Sequence, residues 1–269
     1  VHWRPTSDRT IPFSVPFRVS AHAAKLWIAP ASRNTSRNEG AWDELHILGA
    51  NWAGFQASGC VAELWSHDVD DYIRFLRAHR FNAVRLPLSA PIITATSYRI
   101  RGDFICGPHY ENWESLAILD DVITRLERAG IFVMLCMHTV SHPEHNDGVW
   151  REPLFSQAWS ILSNRYCSHP NVIMADVFNE PYDVGWGAWR ELVERVGSSI
   201  LSICPRWLIV AEGAGRGTAA GFWWGENING QISQPIRLPV SDRLVLSPHV
   251  YGHGEQWYMN DRHFPANMP

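Results

Sequence analysis

Short apolar runs alternate with segments of helical periodicity along most of the chain, from residue 47 onward. The apolar runs predict six strands, at residues 47–55, 81–88, 131–138, 172–179, 207–212 and 243–251. Between them, apolar residues three and four positions apart predict amphipathic helices over residues 68–80, 116–128, 155–166 and 186–203. Strands that are apolar throughout and alternate with helices are typical of a parallel sheet with helical crossovers. The pattern therefore predicts an α/β fold.

The first 46 residues do not follow this alternation. Two short apolar stretches, at residues 17–19 and 25–28, predict a small hairpin that covers one end of the sheet. Residues 1–46 are therefore interpreted as an N-terminal capping segment, and residues 47–269 as the main α/β unit.

Composition and charge exclude several classes of protein. Hydrophobic residues make up 46% of the chain and charged residues 19%, which supplies a core and argues against disorder. The 23 basic and 27 acidic residues give a net charge of −4, so no basic surface for nucleic acid is expected. The longest apolar run, residues 131–137, is too short for a membrane span. The chain opens without an apolar leader, so any secretion signal is expected outside it.

The cysteines and histidines lack the spacing of a metal site. Five cysteines are scattered without the short paired spacings that zinc sites use. Cys60 and Cys106 lie in loop-like stretches, and a disulfide between them is one open alternative, whereas Cys136 lies in an apolar strand. The two histidines within 142–145 have no third ligand, and the stretch 213–217 lacks the third glycine of a dinucleotide site. The sequence therefore predicts neither a metal nor a cofactor.

Polar residues gather where the predicted strands end. Six of them lie at or just past the carboxyl ends of four strands: Arg85, His138, Asn179, Glu180, His249 and Tyr251. Barrel enzymes assemble their active sites at this end of the sheet. A guanidinium among apolar strand residues needs a buried anion, since its desolvation is otherwise costly. A glycosidase would use a carboxyl group at position 180 as the general acid, and the amide at 179 to hold a sugar hydroxyl.

Each of these residues also has a purely structural interpretation. Asn179 and Glu180 precede a proline and fit a solvated turn, and His138 fits a core histidine. The chain contains 14 tryptophans, a number that suits stacking on sugars but also suits core packing. Trp65 and Trp224, in loops above the strand ends, are candidates for either role.

The motifs occur in the order found in glycoside hydrolase family 5, and the chain resembles the endo-β-1,4-glucanase (cellulase) branch of that family. The resemblance rests on five stretches: Gly-Ala-Asn-Trp-Ala-Gly-Phe at 49–55, Asn-Ala-Val-Arg-Leu-Pro at 82–87, Asn-Glu-Pro at 179–181, Phe-Trp-Trp-Gly at 222–225 and Ser-Pro-His-Val-Tyr at 247–251. It implies a (β/α)8 barrel of the TIM-barrel type, with about six of the eight β/α units present and residues 1–46 at its bottom.

The resemblance also implies a role for each candidate residue. Glu180 would be the acid/base of a retaining mechanism, which needs two carboxyl groups about 5–5.5 Å apart. Asn179 would hold the sugar 2-hydroxyl. The other implied contacts are with the nucleophile carboxylate (Arg85, Tyr251), with the cleaved site (His138, His249) and with sugar faces (Trp65, Trp224).

The match ends with the sixth strand, whereas the nucleophile of this family is a glutamate on the seventh. Residues 47–269 are therefore interpreted as an incomplete catalytic barrel, expected to be inactive by itself. The first hypothesis is a secreted retaining endo-β-1,4-glucanase that binds β-glucan oligosaccharide or polysaccharide. The alternatives are a truncated pseudoenzyme that binds glucan without cutting it, and a family 5 hydrolase of another β-glycan such as mannan.

Overall fold

A six-stranded parallel sheet forms the centre of the fold. The computed structural model describes residues 13, 17–30, 42–95, 98, 106–139, 152–181, 184–214 and 224–250. The sheet contains, in chain order, β4 (Gly49–Asn51), β5 (Ala83–Ser89), β6 (Phe132–Thr139), β7 (Val172–Asp176), β8 (Leu208–Ala211) and β9 (Leu244–Leu246). Each strand pairs in parallel with the next one along the chain. The predicted α/β architecture is confirmed.

Helices connect the strands. The described residues include α1 (Val69–Ala78), α2 (Ala90–Thr94), α3 (Ser115–Arg128), α4 (Glu152–Tyr166), α5 (Trp186–Ile203), α6 (Gly230–Ser233) and a 3₁₀ turn (Pro108–Tyr110). Helix α1 begins after Asp68, whose carboxylate accepts from the N–H of Asp70 at 2.8 Å. Helix α5 has the predicted bounds, and its apolar stripe is buried, from Trp189 to Leu201. None of these helices combines the length and apolarity needed to cross a membrane.

An antiparallel hairpin precedes the parallel sheet. It consists of β1 (Phe17–His22) and β2 (Lys25–Pro30), and the short strand β3 (Asp43–Glu44) pairs with β2. Val19 and Ile28 pack in one cluster with residues that begin the parallel strands, including Phe132 and Leu208. The hairpin is confirmed, and the boundary at residue 46 stays a prediction.

Two of the parallel strands, β7 and β9, end well before their predicted carboxyl ends. Strand β7 ends at Asp176, three residues before Asn179, and β9 ends at Leu246, before His249. Both predictions extended the strand through polar residues that in fact lie beyond the ladder. Arg85 was also predicted at a strand end, but it lies inside its strand, as the third of the seven residues of β5. Its long side chain, not its backbone position, brings its charge to the site.

Two disulfides connect the loops and helices around the sheet. Cys60 pairs with Cys106, which resolves the alternative left open by the sequence, and Cys167 pairs with Cys204, which spacing did not indicate. Cys136 is a free buried thiol on β6. Disulfides of this kind persist in oxidising compartments.

Candidate active site

Arg85 organises the polar centre of the barrel. Its Nε donates to Asp176 Oδ2 at 2.9 Å, and its Nη2 donates to Asn179 Oδ1 and Glu212 Oε1, each at 2.9 Å. Its Nη1 donates to Asn51 Oδ1 at 3.3 Å. Only 12% of the Arg85 side chain is exposed, so two carboxylates compensate a nearly buried guanidinium. The predicted need of Arg85 for a buried anion is confirmed.

Glu212 is the most enclosed member of this cluster, with no exposed side-chain surface. It directly follows β8, and its two oxygens have different partners. Oε1 faces Arg85 Nη2 and His249 Nε2, at 2.9 and 3.0 Å, whereas Oε2 accepts from the Glu180 backbone N–H at 2.6 Å. Burial, and after it the charge of Asp176, raises the pKa of Glu212.

Glu180 contacts the same imidazole as Glu212, that of His249. Its Oε1 is 2.9 Å from His249 Nδ1, so the ring joins the carboxyl groups of Glu180 and Glu212. Burial opposes the charged imidazole, but the contacts with these two carboxylates raise the pKa of His249 to about 9. A doubly protonated ring donates to both groups at once. Glu180 also has a φ of +46°, a left-handed conformation that few residues other than glycine adopt.

Gly225 closes the other side of this group. Its carbonyl accepts from the backbone N–H groups of Gly213 and His249, at 2.8 and 2.9 Å. Its φ is +77°, and a Cβ there would lie 2.9 Å from Glu212 Oε2 and 3.3 Å from Glu180 Cγ. Glycine at 225 therefore lets the backbone approach the carboxylates closely.

Replacement of Gly225 by alanine is expected to lower the free energy of unfolding by more than about 1 kcal/mol, because the new Cβ is strained and displaces a carboxylate. Urea denaturation measures this change. Gly187→Ala is the matched control, since its Cβ would meet only Gln234 Oε1, at 3.6 Å, inside helix α5. That variant is expected to be as stable as the parent or slightly more so. Equal changes in the free energy of unfolding at the two positions would contradict the requirement for glycine at 225.

The remaining candidate residues differ in how far their side chains are buried. His138 is partly buried on β6, and burial, followed by the charge of Arg85, lowers its pKa to about 4, so it is neutral at pH 7. Trp65 is 46% exposed and Trp224 is partly buried. Tyr251 lies outside the described residues. The sugar contacts implied for these four side chains stay predictions.

Sequence reasoning missed Asp176 and Glu212. Each is a carboxylate in or next to an apolar strand, which is the same signal that marked Arg85. With Cys136 they form the one group in the described chain whose ligand atoms could surround a metal ion, all within 4.8 Å. Arg85 already supplies positive charge to both carboxylates. Burial raises the pKa of the Cys136 thiol, so this ligand is protonated. In the structure these carboxylates are therefore part of an ion-pair network with Arg85.

Comparison with known proteins identifies the family of this chain. The model of the cellulases, glycosyl hydrolase family 5, matches residues 43–267. The chain belongs to glycosyl hydrolase family 5. The chain is similar to an endoglucanase of Paenibacillus polymyxa and to the major extracellular endoglucanase of Xanthomonas campestris, each 32% identical over 84% of this chain. The chain spans 61% and 50% of the length of these two relatives.

Solved structures support the same family and the barrel fold. An endocellulase from Pyrococcus horikoshii, in complex with cellotetraose, superimposes with a TM-score of 0.79 at 26% identity and covers 94% of this chain and 75% of its own. The catalytic domain of the Xanthomonas campestris enzyme superimposes with a TM-score of 0.75 at 30% identity, over 84% of this chain and 70% of its own. The fold is therefore of the (β/α)8 type, as predicted. Six parallel strands lie within the described residues.

Proposed function

We propose that this family 5 protein is a retaining endo-β-1,4-glucanase, which hydrolyses internal bonds of cellulose or related β-glucans with Glu180 as general acid/base. The observation that carries the proposal is the placement of Glu180. Its carboxyl group lies past the carboxyl end of β7, remains 17% exposed and contacts His249 at 2.9 Å. A group in this position can reach a substrate from the open end of the barrel and still be held by the protein.

In the proposed reaction Glu180 transfers its proton to the glycosidic oxygen as the bond from that oxygen to the anomeric carbon breaks. A nucleophilic carboxylate forms a bond to the anomeric carbon at the same time. Glu180, now ionised, then takes a proton from a water molecule, which attacks the anomeric carbon. The bond from that carbon to the nucleophilic carboxylate breaks, and the sugar is released. The imidazolium of His249 stabilises Glu180 in its ionised form between the two steps.

The nucleophile is assigned, as the family resemblance implies, to a glutamate of the seventh barrel strand, which residues 1–269 do not include. Glu212 has no exposed surface, and its oxygens are occupied by Arg85, His249 and the Glu180 backbone, so it is unsuited to attack a sugar. Asp176 is 2% exposed and is likewise paired with Arg85. The expectation that residues 1–269 alone are inactive follows from this assignment, and expression of that segment tests it.

The other proposed contacts concern the sugar. Asn179, which accepts from Arg85, would present its amide to the 2-hydroxyl, and Trp65 and Trp224 would stack on sugar rings. His138 and Tyr251 would line the cleaved site. We further propose that the protein is secreted, which is supported by its two disulfides and by the extracellular relative in Xanthomonas.

The proposal is tested with the protein as its gene encodes it. On carboxymethylcellulose, viscosity is expected to fall before many reducing ends appear, and proton NMR is expected to show the β-anomer as the first product. Faster hydrolysis of mannan would favour the alternative β-glycan, and an α-anomer would contradict retention. Binding of cello-oligosaccharides without any cleavage would favour the pseudoenzyme.

A further inference from the structure

One buried carboxylate fixes groups that come from three different strands. Glu212 accepts from Arg85 of β5, from the Glu180 backbone past β7 and from His249 past β9. Residues that only pack the core have no such set of polar partners. Because Glu212 has no exposed surface, whatever it contributes to a reaction passes through these neighbours.

The contact with the Glu180 backbone fixes an unusual main-chain conformation. Glu180 has a φ of +46°, and its N–H points at Glu212 Oε2 over 2.6 Å. This hydrogen bond orients the peptide relative to the buried carboxyl group of Glu212. The orientation of the peptide decides in which direction the Glu180 side chain leaves the backbone.

The contact with the imidazole fixes the carboxyl end of the same side chain. His249 Nε2 lies 3.0 Å from Glu212 Oε1, and Nδ1 lies 2.9 Å from Glu180 Oε1. Gly225 lies close to the ring, because a Cβ added at this residue would be 3.2 Å from His249 Cγ. The ring therefore has one orientation in which both nitrogens have partners, and Glu212 supplies one of the two.

We propose that Glu212 is a positioning residue for the acid/base Glu180. Through one oxygen it holds the Glu180 backbone, and through the other it holds the His249 ring against the Glu180 carboxyl, so that this carboxyl is aimed at the leaving oxygen. The inference rests on the proposed function, because it assigns Glu212 a part in the same proton transfer.

The test uses Glu212→Gln in the protein as its gene encodes it. The amide keeps the shape of the side chain but offers one acceptor oxygen where Arg85, His249 and the Glu180 N–H all need acceptors. We expect kcat on carboxymethylcellulose to fall about 100-fold with little change in KM. The loss of kcat/KM, which reports the first step only, should be much smaller on a dinitrophenyl β-cellobioside, whose leaving group needs no proton. Glu191→Gln, on the exposed face of α5, is the matched control and is expected to keep full activity.

A second readout does not depend on catalysis. An NMR titration of His249 is expected to show its pKa lower in Glu212→Gln than in the parent, because one of its two carboxylate partners is lost. The other charged or titratable groups around the pair, Arg85, Asp176 and His138, are the same in both proteins. Glu212→Asp, which keeps the charge, is expected to retain most of the raised pKa and serves if the glutamine variant is unfolded.

Several results would overturn the inference. An unchanged pKa of His249, equal losses of kcat/KM on the two substrates, or a rise in KM alone would each mean that Glu212 does not aim Glu180. If the parent protein hydrolyses no glucan, the proposed function fails, and the titration still decides whether Glu212 holds His249.

Discussion

Glu180→Gln is expected to lower kcat/KM on soluble cellulose by about 10²–10⁴-fold, the range that general acid catalysis contributes. The amide has nearly the same shape as the carboxyl group and can still contact His249, but it cannot transfer a proton to the leaving oxygen. The fold should be unaffected, because the Glu180 contact with Glu212 is made by the backbone. Release of reducing sugar from carboxymethylcellulose measures the loss.

The control for this variant is Glu191→Gln, an identical chemical change on a side chain that is 59% exposed. Its kcat/KM should equal that of the parent. The Glu180 variant should lose much less kcat/KM on a dinitrophenyl β-cellobioside, because kcat/KM reports the first step and that leaving group departs without protonation. Full activity of Glu180→Gln on cellulose would remove Glu180 from the mechanism.

Arg85→Met is expected to lower the free energy of unfolding by about 3–5 kcal/mol, the cost of leaving a buried ion pair without one partner. Methionine fills part of the space of the Arg85 stem but leaves Asp176 and Glu212 without their shared cation. Urea denaturation measures the change. Arg74→Met is the matched control, because Arg74 is 70% exposed and its pairing with Asp71 is a surface contact. That change is expected to stay within about 0.5 kcal/mol.

The loss of unfolding free energy in Arg85→Met, here called the deficit, should also depend on pH. In the folded protein the pKa of Glu212 already lies above its ordinary value, and loss of the guanidinium raises it further. A carboxyl group with a raised folded pKa favours the folded state below its unfolded pKa, and this contribution is lost as pH rises through the folded pKa. The deficit should therefore be smaller at pH 5 than at pH 8. A deficit that does not change with pH would show that charge is not its cause.

The sequence by itself determined the layout of this protein and part of its site. Apolar periodicity is a local property, and it predicted the order of strands and helices, including the bounds of α5. An arginine within an apolar strand must meet an anion, so Arg85 could be placed at a charged centre before its partners were known. Asn179 and Glu180 were found in the same way, from their place after a buried strand.

Only the tertiary structure decided which groups meet. Glu212 lies 127 residues from Arg85 in the chain, and no local pattern says that it also holds the Glu180 backbone and His249. For the same reason the sequence did not predict that Cys167 pairs with Cys204 or that β7 ends early, at Asp176. Hydrophobic patterning specifies which face of an element is buried, whereas the partners of a buried polar group depend on how distant elements are brought together by the closure of the sheet.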